Sequence, residues 1–282
     1  MAVWNARGVP NDDVTAVIAC FNLGTYLREA VESALGQGAR VIVVDDGSTD
    51  EATHAALNAL PDEVHLVRQA NQGVCRARNA GLVLVETRYA VVLDADDRLT
   101  PGALDVLRAP LDADPALGFA YGWMRFFGAW DGLLRFPPYD AYRLLYRHTI
   151  GLSALARREL FEDTGGFDPT FEQFEDWDLW LSALGHGWRG RRVEHVTLDY
   201  RRHPGRSKLA EDRRRYRTAY AALRRKHAPL YARAGALARE SGLGRRQRAL
   251  YRWFWGPRPV PARLEGFAHR RLFGAQTDAD GG

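Results

Sequence analysis

Cysteine is nearly absent from this chain of 282 residues, which has two, Cys20 and Cys75. Two thiols are too few for a disulfide framework, and their spacing matches no metal-binding pattern. No run reaches the roughly 18 apolar residues that a membrane-spanning helix needs. Residues 1–10 also lack the apolar segment of a signal peptide. We therefore expect a cytoplasmic protein in a reduced compartment, without a spanning helix.

The net charge of +4 conceals a strong imbalance along the chain. Residues 201–282 carry 21 basic and 6 acidic side chains, whereas residues 1–200 carry 18 basic and 29 acidic ones. The acidic first part suits a cation site. The basic second part suits an anionic partner: a membrane surface, a nucleic acid, or the acidic part itself. We expect two regions with different tasks.

The first hundred residues alternate between short apolar runs and helical periodicity. Strands are predicted at 15–20, 40–44, 64–67 and 89–93, with helices at 26–35, 48–60 and 73–84. That order predicts a parallel sheet with helices on both faces, and ligands bind such sheets beyond the carboxyl ends of the strands. Ser48 and Glu51 predict a capping box, and Thr100 predicts a cap with Pro101 in the first turn.

Beyond residue 100 the pattern is less regular. Strands are predicted at 118–127, 153–157 and 193–198, with a loop at 133–138, a helix at 175–184 and arginine-rich helices from 208 onward.

Three carboxylates, Asp94, Asp96 and Asp97, end the fourth predicted strand. Alternation along an extended chain places Asp94 and Asp96 on the same side. Two carboxylates that converge in a cleft repel each other unless a cation joins them. Mg²⁺ and Mn²⁺ take such oxygen ligands and leave positions for phosphate oxygens. The alternative is an acidic turn that caps the next helix.

Two further clusters border the same predicted sheet edge. Asp45 and Asp46 end the second strand, where they could accept from a nucleobase N–H or form a turn and helix cap. Arg76 and Arg78 begin a helix, where guanidinium groups and a helix start both favour a diphosphate. A solvated basic face is the alternative for the two arginines.

Two candidates come from the second half. Asp176 begins the helix predicted at 175–184 and could deprotonate a hydroxyl acceptor, although acids there also complement the helix dipole. His203 follows the last predicted strand as a candidate metal or phosphate ligand, and a solvated loop histidine is the alternative.

Taken in order, these segments resemble the family-two glycosyltransferases of the GT-A fold. The matching segments are 15–22, 43–50, 73–81, 93–97, 165–168, 175–176 and 200–203. Each is weak alone, but the ordered set is specific. The resemblance implies an α/β fold with a mainly parallel sheet flanked by helices. Its catalytic domain would span 1–207, with a nucleotide-sugar half near 14–100, an acceptor half near 118–207, and a basic helical C-terminal extension at 208–282.

The resemblance also implies roles for single residues. Donor contacts are implied for Ala19, Cys20, Phe21, Asp45 or Asp46, Arg76 or Arg78, and Asp94. Ligation of Mn²⁺ or Mg²⁺ is implied for Asp96, Asp94 and His203. Asp176 would be the base of an inverting single displacement.

The implied reaction moves a sugar from a nucleotide-sugar, a UDP-sugar by family habit, to a hydroxyl acceptor. That acceptor could be a glycan, a lipid-linked glycan or a small aglycone. One rival is a nucleotidyltransferase, but such enzymes place a glycine- and arginine-rich loop after the first strand, and residues 20–26 form no such loop. The other rival, a non-catalytic binding module, leaves the ordered acidic clusters unexplained.

Basic and aromatic side chains mix within the C-terminal extension, at 245–255 and at 263–273. Such a mix suits the headgroup region of an anionic membrane, so we expect peripheral contact with its inner face. Docking on the acidic catalytic domain and a homodimer contact are the alternatives. Nucleic acid is not expected, because nothing outside the extension supports it.

Overall fold

The computed structural model describes residues 11–171, 173–204 and 212–254. Its strands are β1 Val14–Cys20, β2 Arg40–Asp45, β3 Val64–Arg68, β4 Tyr89–Asp94, β5 Arg98–Leu99, β6 Leu117–Gly128, β7 Gly132–Leu134, β8 Leu155–Arg157 and β9 Arg189–Arg202. Its helices are α1 Gly24–Leu35, α2 Glu51–Asn58, α3 Val74–Leu82, α4 Ala103–Ala113, α5 Ala141–Leu144, α6 Arg158–Thr164, α7 Glu175–Gly185, α8 Asp212–Lys226, α9 Ala228–Ala232, α10 Ala234–Glu240 and α11 Arg245–Phe254.

These strands form one mixed sheet in the order β3-β2-β1-β4-β8-β6-β9-β5, and β7 pairs with β6. The first four strands are parallel. The predicted α/β class, with a mainly parallel sheet flanked by helices, is confirmed. None of the described helices is both long and apolar enough to cross a membrane.

The register of the parallel strands builds one polar edge. Ala19 pairs with Val44 on one side and with Asp94 on the other, and Cys20 pairs with Asp45. Because these strands run in the same direction and end together, their last residues meet beyond the same end of the sheet. Ligands bind at this edge in open parallel sheets.

Apolar helices cover both faces of the parallel strands. Leu27 of α1 and Leu104 of α4 share one core with Ile18, while Ala77 of α3 belongs to the core on the other face. Gly81 allows α3 to lie close to the sheet, because a Cβ at that position would overlap Val17. Continuous apolar runs are typical of strands that are buried on both faces.

The second half of the sheet is mixed in direction. β6 pairs in parallel with β9 and antiparallel with β7 and β8. Its core is aromatic: Phe119 stacks on Trp180 with ring centroids 4.6 Å apart, and Trp177 is fully buried. The sheet therefore changes from aliphatic to aromatic packing as it passes from β4 to β6.

The described part of the C-terminal extension, α8 to α11, packs on this second half. Leu223 and Tyr251 are buried in the same core as α7, and the Tyr231 hydroxyl donates to the Leu145 carbonyl at 2.6 Å. Docking on the catalytic region was one of the open alternatives, and these helices adopt it. The aromatic and basic run at 263–273 lies outside the described residues.

A buried carboxylate on α7 anchors the extension. Asp178 is 1% exposed and accepts from Lys226 Nζ at 2.6 Å, with His227 Nε2 at 2.7 Å. Lys226 also lies 2.8 Å from Asp168. One cation and one imidazole of the extension thus converge on a single carboxylate two residues after Asp176.

The predicted capping box of α2 is wrong by two residues. Asp50 caps this helix by accepting from the Thr53 N–H at 2.8 Å. The Ser48 N–H instead donates to Asp45 Oδ1 at 2.9 Å, and its hydroxyl accepts from Asn22 N. Because Ser48 closes the turn after β2, the helix begins later than the sequence pattern indicates.

Two other boundaries also differ. α4 begins after Gly102, so Thr100 does not cap it, and the Thr100 hydroxyl donates to the Val196 carbonyl. The segment predicted as a loop at 133–138 begins inside β7. Thr100 is drawn to the distant strand β9, whereas β7 forms a hairpin with the preceding strand β6.

Candidate active site

A cleft of about 1000 Å³ opens at the carboxyl edge of the parallel strands. Eight of the predicted site residues line it: Ala19, Cys20, Phe21, Asp46, Arg78, Asp94, Asp96 and Asp176. Asp45, Arg76 and His203 are not among its lining residues. Arg76 is exposed, Asp45 is buried, and His203 adjoins Asp96.

The paired aspartates after β2 hold the bordering loops. Asp46 Oδ1 accepts from Gln69 Nε2 at 2.7 Å and from Gln72 N at 2.9 Å, and its Oδ2 accepts from Gly73 N at 2.9 Å. Asp45 holds the turn at Ser48. Both carboxylates therefore order backbone, and Asp46 is the one that faces the cleft.

Apolar surface is exposed where β1 meets the cleft. Phe21 is 44% exposed, and Val74, at the start of α3, is 45% exposed. Large apolar side chains left open inside a cleft are suited to cover a flat ring, and an aromatic face can stack on a nucleobase.

Arg78 forms two buried ion pairs that the sequence did not predict. It is 3% exposed, and its guanidinium donates to Asp94 Oδ1 at 2.7 Å and to Glu175 Oε1 at 2.9 Å. Burial disfavours the charge of Arg78, but the two carboxylates outweigh burial and raise the pKa of Arg78 above its usual value. One buried cation thus joins the end of β4 to the start of α7.

The acidic cluster is divided among three environments. Asp94 pairs with Arg78, whereas Asp96 Oδ2 lies 2.7 Å from His203 Nε2. Asp97 is 3% exposed and accepts from the Arg201 N–H at 2.8 Å. Burial, with the charges of Asp94 and Asp96, raises the pKa of Asp97 to about 9. A further negative charge on Asp97 is therefore disfavoured beside Asp94 and Asp96.

These side chains fit a divalent cation whose coordination a substrate completes. Asp96 and His203 bring a carboxylate oxygen and an imidazole nitrogen together, with Asp94 lining the same cleft. Among the described residues no three or more acidic, histidine or cysteine side chains enclose an ion. Mg²⁺ is commonly held by one or two carboxylates and by substrate phosphates. The residues suit that arrangement and would not form an all-protein cage.

Asp176 lies in the first turn of α7. Its Oδ1 accepts from the Trp177 N–H at 2.8 Å, and its Oδ2 lies 3.0 Å from His148 Nε2. Burial disfavours both charges, but each partner favours the other's charged form, so the pKa of His148 is raised and that of Asp176 is lowered. Phe174, just before α7, has a φ of 64°, a strained backbone of the kind concentrated at functional sites.

Sequence reasoning missed His148 and the role of Glu175. Glu175 adjoins Asp176, so the acidic pair itself was a usable signal for it. His148 lies in an irregular segment between α5 and β8, and no local spacing connects it with Asp176. That contact is created by tertiary packing alone.

The chain is similar in sequence to known transferases. The family described as glycosyl transferase family 2 matches residues 15–171. The chain is 41% identical over 202 residues to the succinoglycan biosynthesis protein ExoO of Rhizobium meliloti (strain 1021), covering 63% of this chain and 57% of ExoO. It is 26% identical over 204 residues to the UDP-Glc:alpha-D-GlcNAc-diphosphoundecaprenol beta-1,3-glucosyltransferase WfaP of Escherichia coli, covering 68% and 78%. The matched region thus spans less than two thirds of the length of ExoO.

Solved structures share the fold at low identity. S. aureus TarS superimposes with a TM-score of 0.62 at 17% identity, covering 90% of this chain and 45% of that chain. The mannosyltransferase PcManGT from Pyrobaculum calidifontis, in complex with GDP-Man and Mn²⁺, superimposes with a TM-score of 0.57 at 19% identity, covering 94% and 83%. With the family match extending over more than half of its length, this chain belongs to glycosyl transferase family 2 and has the GT-A fold.

Proposed function

We propose that this protein is an inverting glycosyltransferase that moves a sugar from a nucleotide-sugar to a hydroxyl acceptor, with Mn²⁺ or Mg²⁺ at the diphosphate. The observation that carries the proposal is one cleft lined both by Asp94 and Asp96 at the sheet edge and by Asp176 at the start of α7. Departure of a nucleoside diphosphate is assisted by a cation, which carboxylates can hold. Deprotonation of the acceptor needs a carboxylate base at a second place in the same site.

A UDP-sugar is the proposed donor. WfaP is named for UDP-Glc, and TarS was solved with UDP-GlcNAc. The end of β1 would take the nucleoside, with Phe21 as a stacking face and Asp46 as the nearer of the two aspartates. Arg76, which is exposed on α3, would have to reach the diphosphate from outside the cleft lining.

Asp96 and His203 would hold the cation, with Asp94 beside them. When bound, the cation offsets the negative charge that develops on the leaving diphosphate. The chain's own part is to fix these side chains. Arg201 Nε donates to the Asp96 carbonyl at 2.9 Å, and its N–H holds Asp97.

Asp176 is the proposed general base. As the acceptor oxygen bonds to the anomeric carbon, its proton passes to the Asp176 carboxylate. The bond from that carbon to the diphosphate oxygen breaks, and the nucleoside diphosphate leaves with the electron pair. A single displacement inverts the anomeric configuration, so an α-linked donor gives a β-linked product.

The acceptor is proposed to be a glycan or lipid-linked glycan in polysaccharide assembly. β6, β7 and the chain after β7 give the cleft an apolar wall formed by Met124, Phe126, Leu134 and Phe136. Arg147 and Arg202 add positive charge to the same lining. Apolar area with a few convergent polar groups is typical of small-molecule sites. ExoO is named for succinoglycan biosynthesis, and WfaP is named for transfer to alpha-D-GlcNAc-diphosphoundecaprenol.

We also propose that the C-terminal extension contacts the inner face of an anionic membrane. Within α11, Tyr251 is buried and Trp253 is 74% exposed, so part of the aromatic character is used for packing on the catalytic region. The remainder of the run lies outside the described residues. The domain division at 207 and homodimer formation likewise stay proposals.

A donor panel tests the proposed function. UDP-Glc, UDP-GlcNAc and GDP-Man are each compared by thermal shift with Mn²⁺, with Mg²⁺ and with chelator, and transfer to glycan acceptors is then measured with the best donor. Asp176→Asn should keep donor binding and lower kcat by about 10²–10⁴-fold. Glu162→Gln, an exposed acid on α6, is the matched control and should transfer normally.

The same panel separates the two acidic groups. Asp96→Ala should abolish the cation-dependent part of donor binding. If no nucleotide-sugar shifts the melting temperature under any cation condition, the proposed function is wrong. If Asp176→Asn transfers at nearly the normal rate, another residue is the base.

A further inference from the structure

His148 is held against Asp176 by aromatic packing. Its ring lies parallel to that of Trp177, with centroids 6.0 Å apart at 16°, and meets the edge of Phe174 at 6.2 Å. Trp177 is itself fully buried, and its indole N–H donates to the Leu144 carbonyl at 2.7 Å. Two aromatic side chains therefore pack against the imidazole that lies beside Asp176.

Two polar neighbours, the Asp176 carboxylate and the backbone of Ile150, act on the His148 ring. Nε2 is shielded from solvent and lies 3.0 Å from Asp176 Oδ2, while a hydrogen bond to the backbone of Ile150 favours the charged ring. A neutral imidazole carries a single N–H. If that N–H goes to the backbone of Ile150, the Nε2 lone pair faces a carboxylate. A proton between Nε2 and Oδ2 removes that repulsion.

Other charged groups act on this pair from three elements. Glu175 precedes Asp176 on α7, and Arg78 on α3 pairs with Glu175. Arg147 precedes His148 in the chain and lines the same cleft. Asp176 is nevertheless the group in direct contact with the imidazole.

We infer that His148 is a positioning residue for the base: it fixes the Asp176 carboxylate in the cleft, and its charge decides when that carboxylate can accept a proton. This inference rests on the proposed function, because it takes Asp176 as the base. An imidazolium beside Asp176 stabilises the carboxylate and makes it a weaker base. A neutral imidazole leaves a stronger base, and it can share the proton that the acceptor releases.

The sign of the pH dependence follows from this pairing. Burial lowers the pKa of His148, but the charge of Asp176, their contact and the charge of Glu175 raise it above its usual value of about 6.5. The rate of transfer should therefore rise with pH as His148 loses its proton. Without the imidazole, the rising limb should move to the lower pH at which Asp176 itself is protonated.

A pH profile of kcat tests the inference. Transfer is measured from about pH 5 to 9 for the wild type, His148→Phe and His148→Gln. The phenylalanine keeps a ring against Trp177 and removes both nitrogens, whereas the glutamine keeps a polar group. In both variants the limb should move to lower pH by about one unit or more, and kcat at neutral pH should change. His186→Phe, an exposed histidine at the far end of α7, should keep the wild-type limb.

Two outcomes of the profile overturn the inference. A limb that stays at the same pH in His148→Phe belongs to another group, such as His203. A uniform fall of kcat across the pH range, with no movement of the limb, means that His148 supports only the fold.

A second measurement needs no substrate. The pKa of His148 is read from its imidazole NMR signals, assigned by their absence in His148→Phe, in the wild type and in Asp176→Asn. The pKa should fall towards about 6.5 in Asp176→Asn, and an unchanged value overturns the inference. If the wild type transfers no sugar, the proposed function fails, while this titration still decides whether the two side chains are paired.

Discussion

The two halves of the sheet are built from different side chains, and they differ in how local their determinants are. β1, β2 and β4 are short, parallel and almost wholly buried, with valine, isoleucine, leucine and alanine predominating. β6 and β9 have 12 and 14 residues, and each is buried over part of its length only. Their half is closed by stacked aromatic rings and by the C-terminal helices.

The difference bears on the proposed function. The half proposed to bind the donor has its edge set by the register of parallel strands, since Ala19 pairs with Asp94 and the next residue, Cys20, pairs with Asp45. The half proposed to bind the acceptor brings together residues far apart in the chain, such as His148 and Asp176. It does so through buried ion pairs and aromatic packing, so its geometry depends on a few buried charges.

Removing the Arg78 guanidinium, which joins the two halves, should have the largest effect on stability. Arg78→Met leaves Asp94 and Glu175 without their shared partner. Breaking a buried pair by deleting one member costs about 3–5 kcal/mol, and partial exposure of Asp94 puts the expectation at the lower end. Denaturant unfolding measures the loss, and donor binding should weaken with it.

Arg76→Met is the matched control on the same helix. Arg76 is exposed, and surface substitutions usually change the free energy of unfolding by less than about 0.5 kcal/mol. Equal losses for the two arginines would mean that the buried link does not hold the halves together.

The next largest effect should come from the carboxylate that anchors the extension. Asp178→Asn keeps the shape of the side chain but removes the charge that faces Lys226 and His227. We expect a loss of about 2–3 kcal/mol, because Lys226 keeps Asp168 as a partner. Hydrogen exchange should quicken in α8 to α10 more than in α1 to α3.

An exposed ion pair on α6 is the control for that change. Arg158 and Glu162 lie four residues apart on α6 with both side chains largely exposed, and such pairs contribute less than about 1 kcal/mol. Glu162→Gln should leave exchange in α8 to α10 unchanged. If Asp178→Asn also leaves it unchanged, the extension is held by its apolar contacts alone.

The sequence closely predicted the half proposed to bind the donor. The strands expected at 15–20, 40–44, 64–67 and 89–93 each agree with β1 to β4 within one residue at either end. Continuous apolar runs and intervening helical periodicity are local signals, and they were sufficient here. The acidic clusters were placed at the correct edge for the same reason.

The half proposed to bind the acceptor was predicted less well, and particular residues show the physical reasons. β9 was expected only at 193–198, because Arg189, Arg191 and Arg202 at its ends carry no apolar signal; long pairing with β6 extends it. The ion pairs of Arg78 were not predicted, because its two carboxylate partners lie 16 and 97 positions away. Contacts at such distances leave no trace in spacing.

The smallest effect sharpens the comparison inside the well-predicted half, where one local signal was misleading. Asp50→Ala should destabilise the protein by about 1 kcal/mol, because it removes the side chain that accepts from Thr53 N–H at the start of α2. Glu51→Ala should cost only a few tenths of a kcal/mol, as a lost charge near the helix start. Thermal and denaturant unfolding of both variants measures the difference. If Glu51→Ala costs as much as Asp50→Ala, the glutamate also holds the start of this helix.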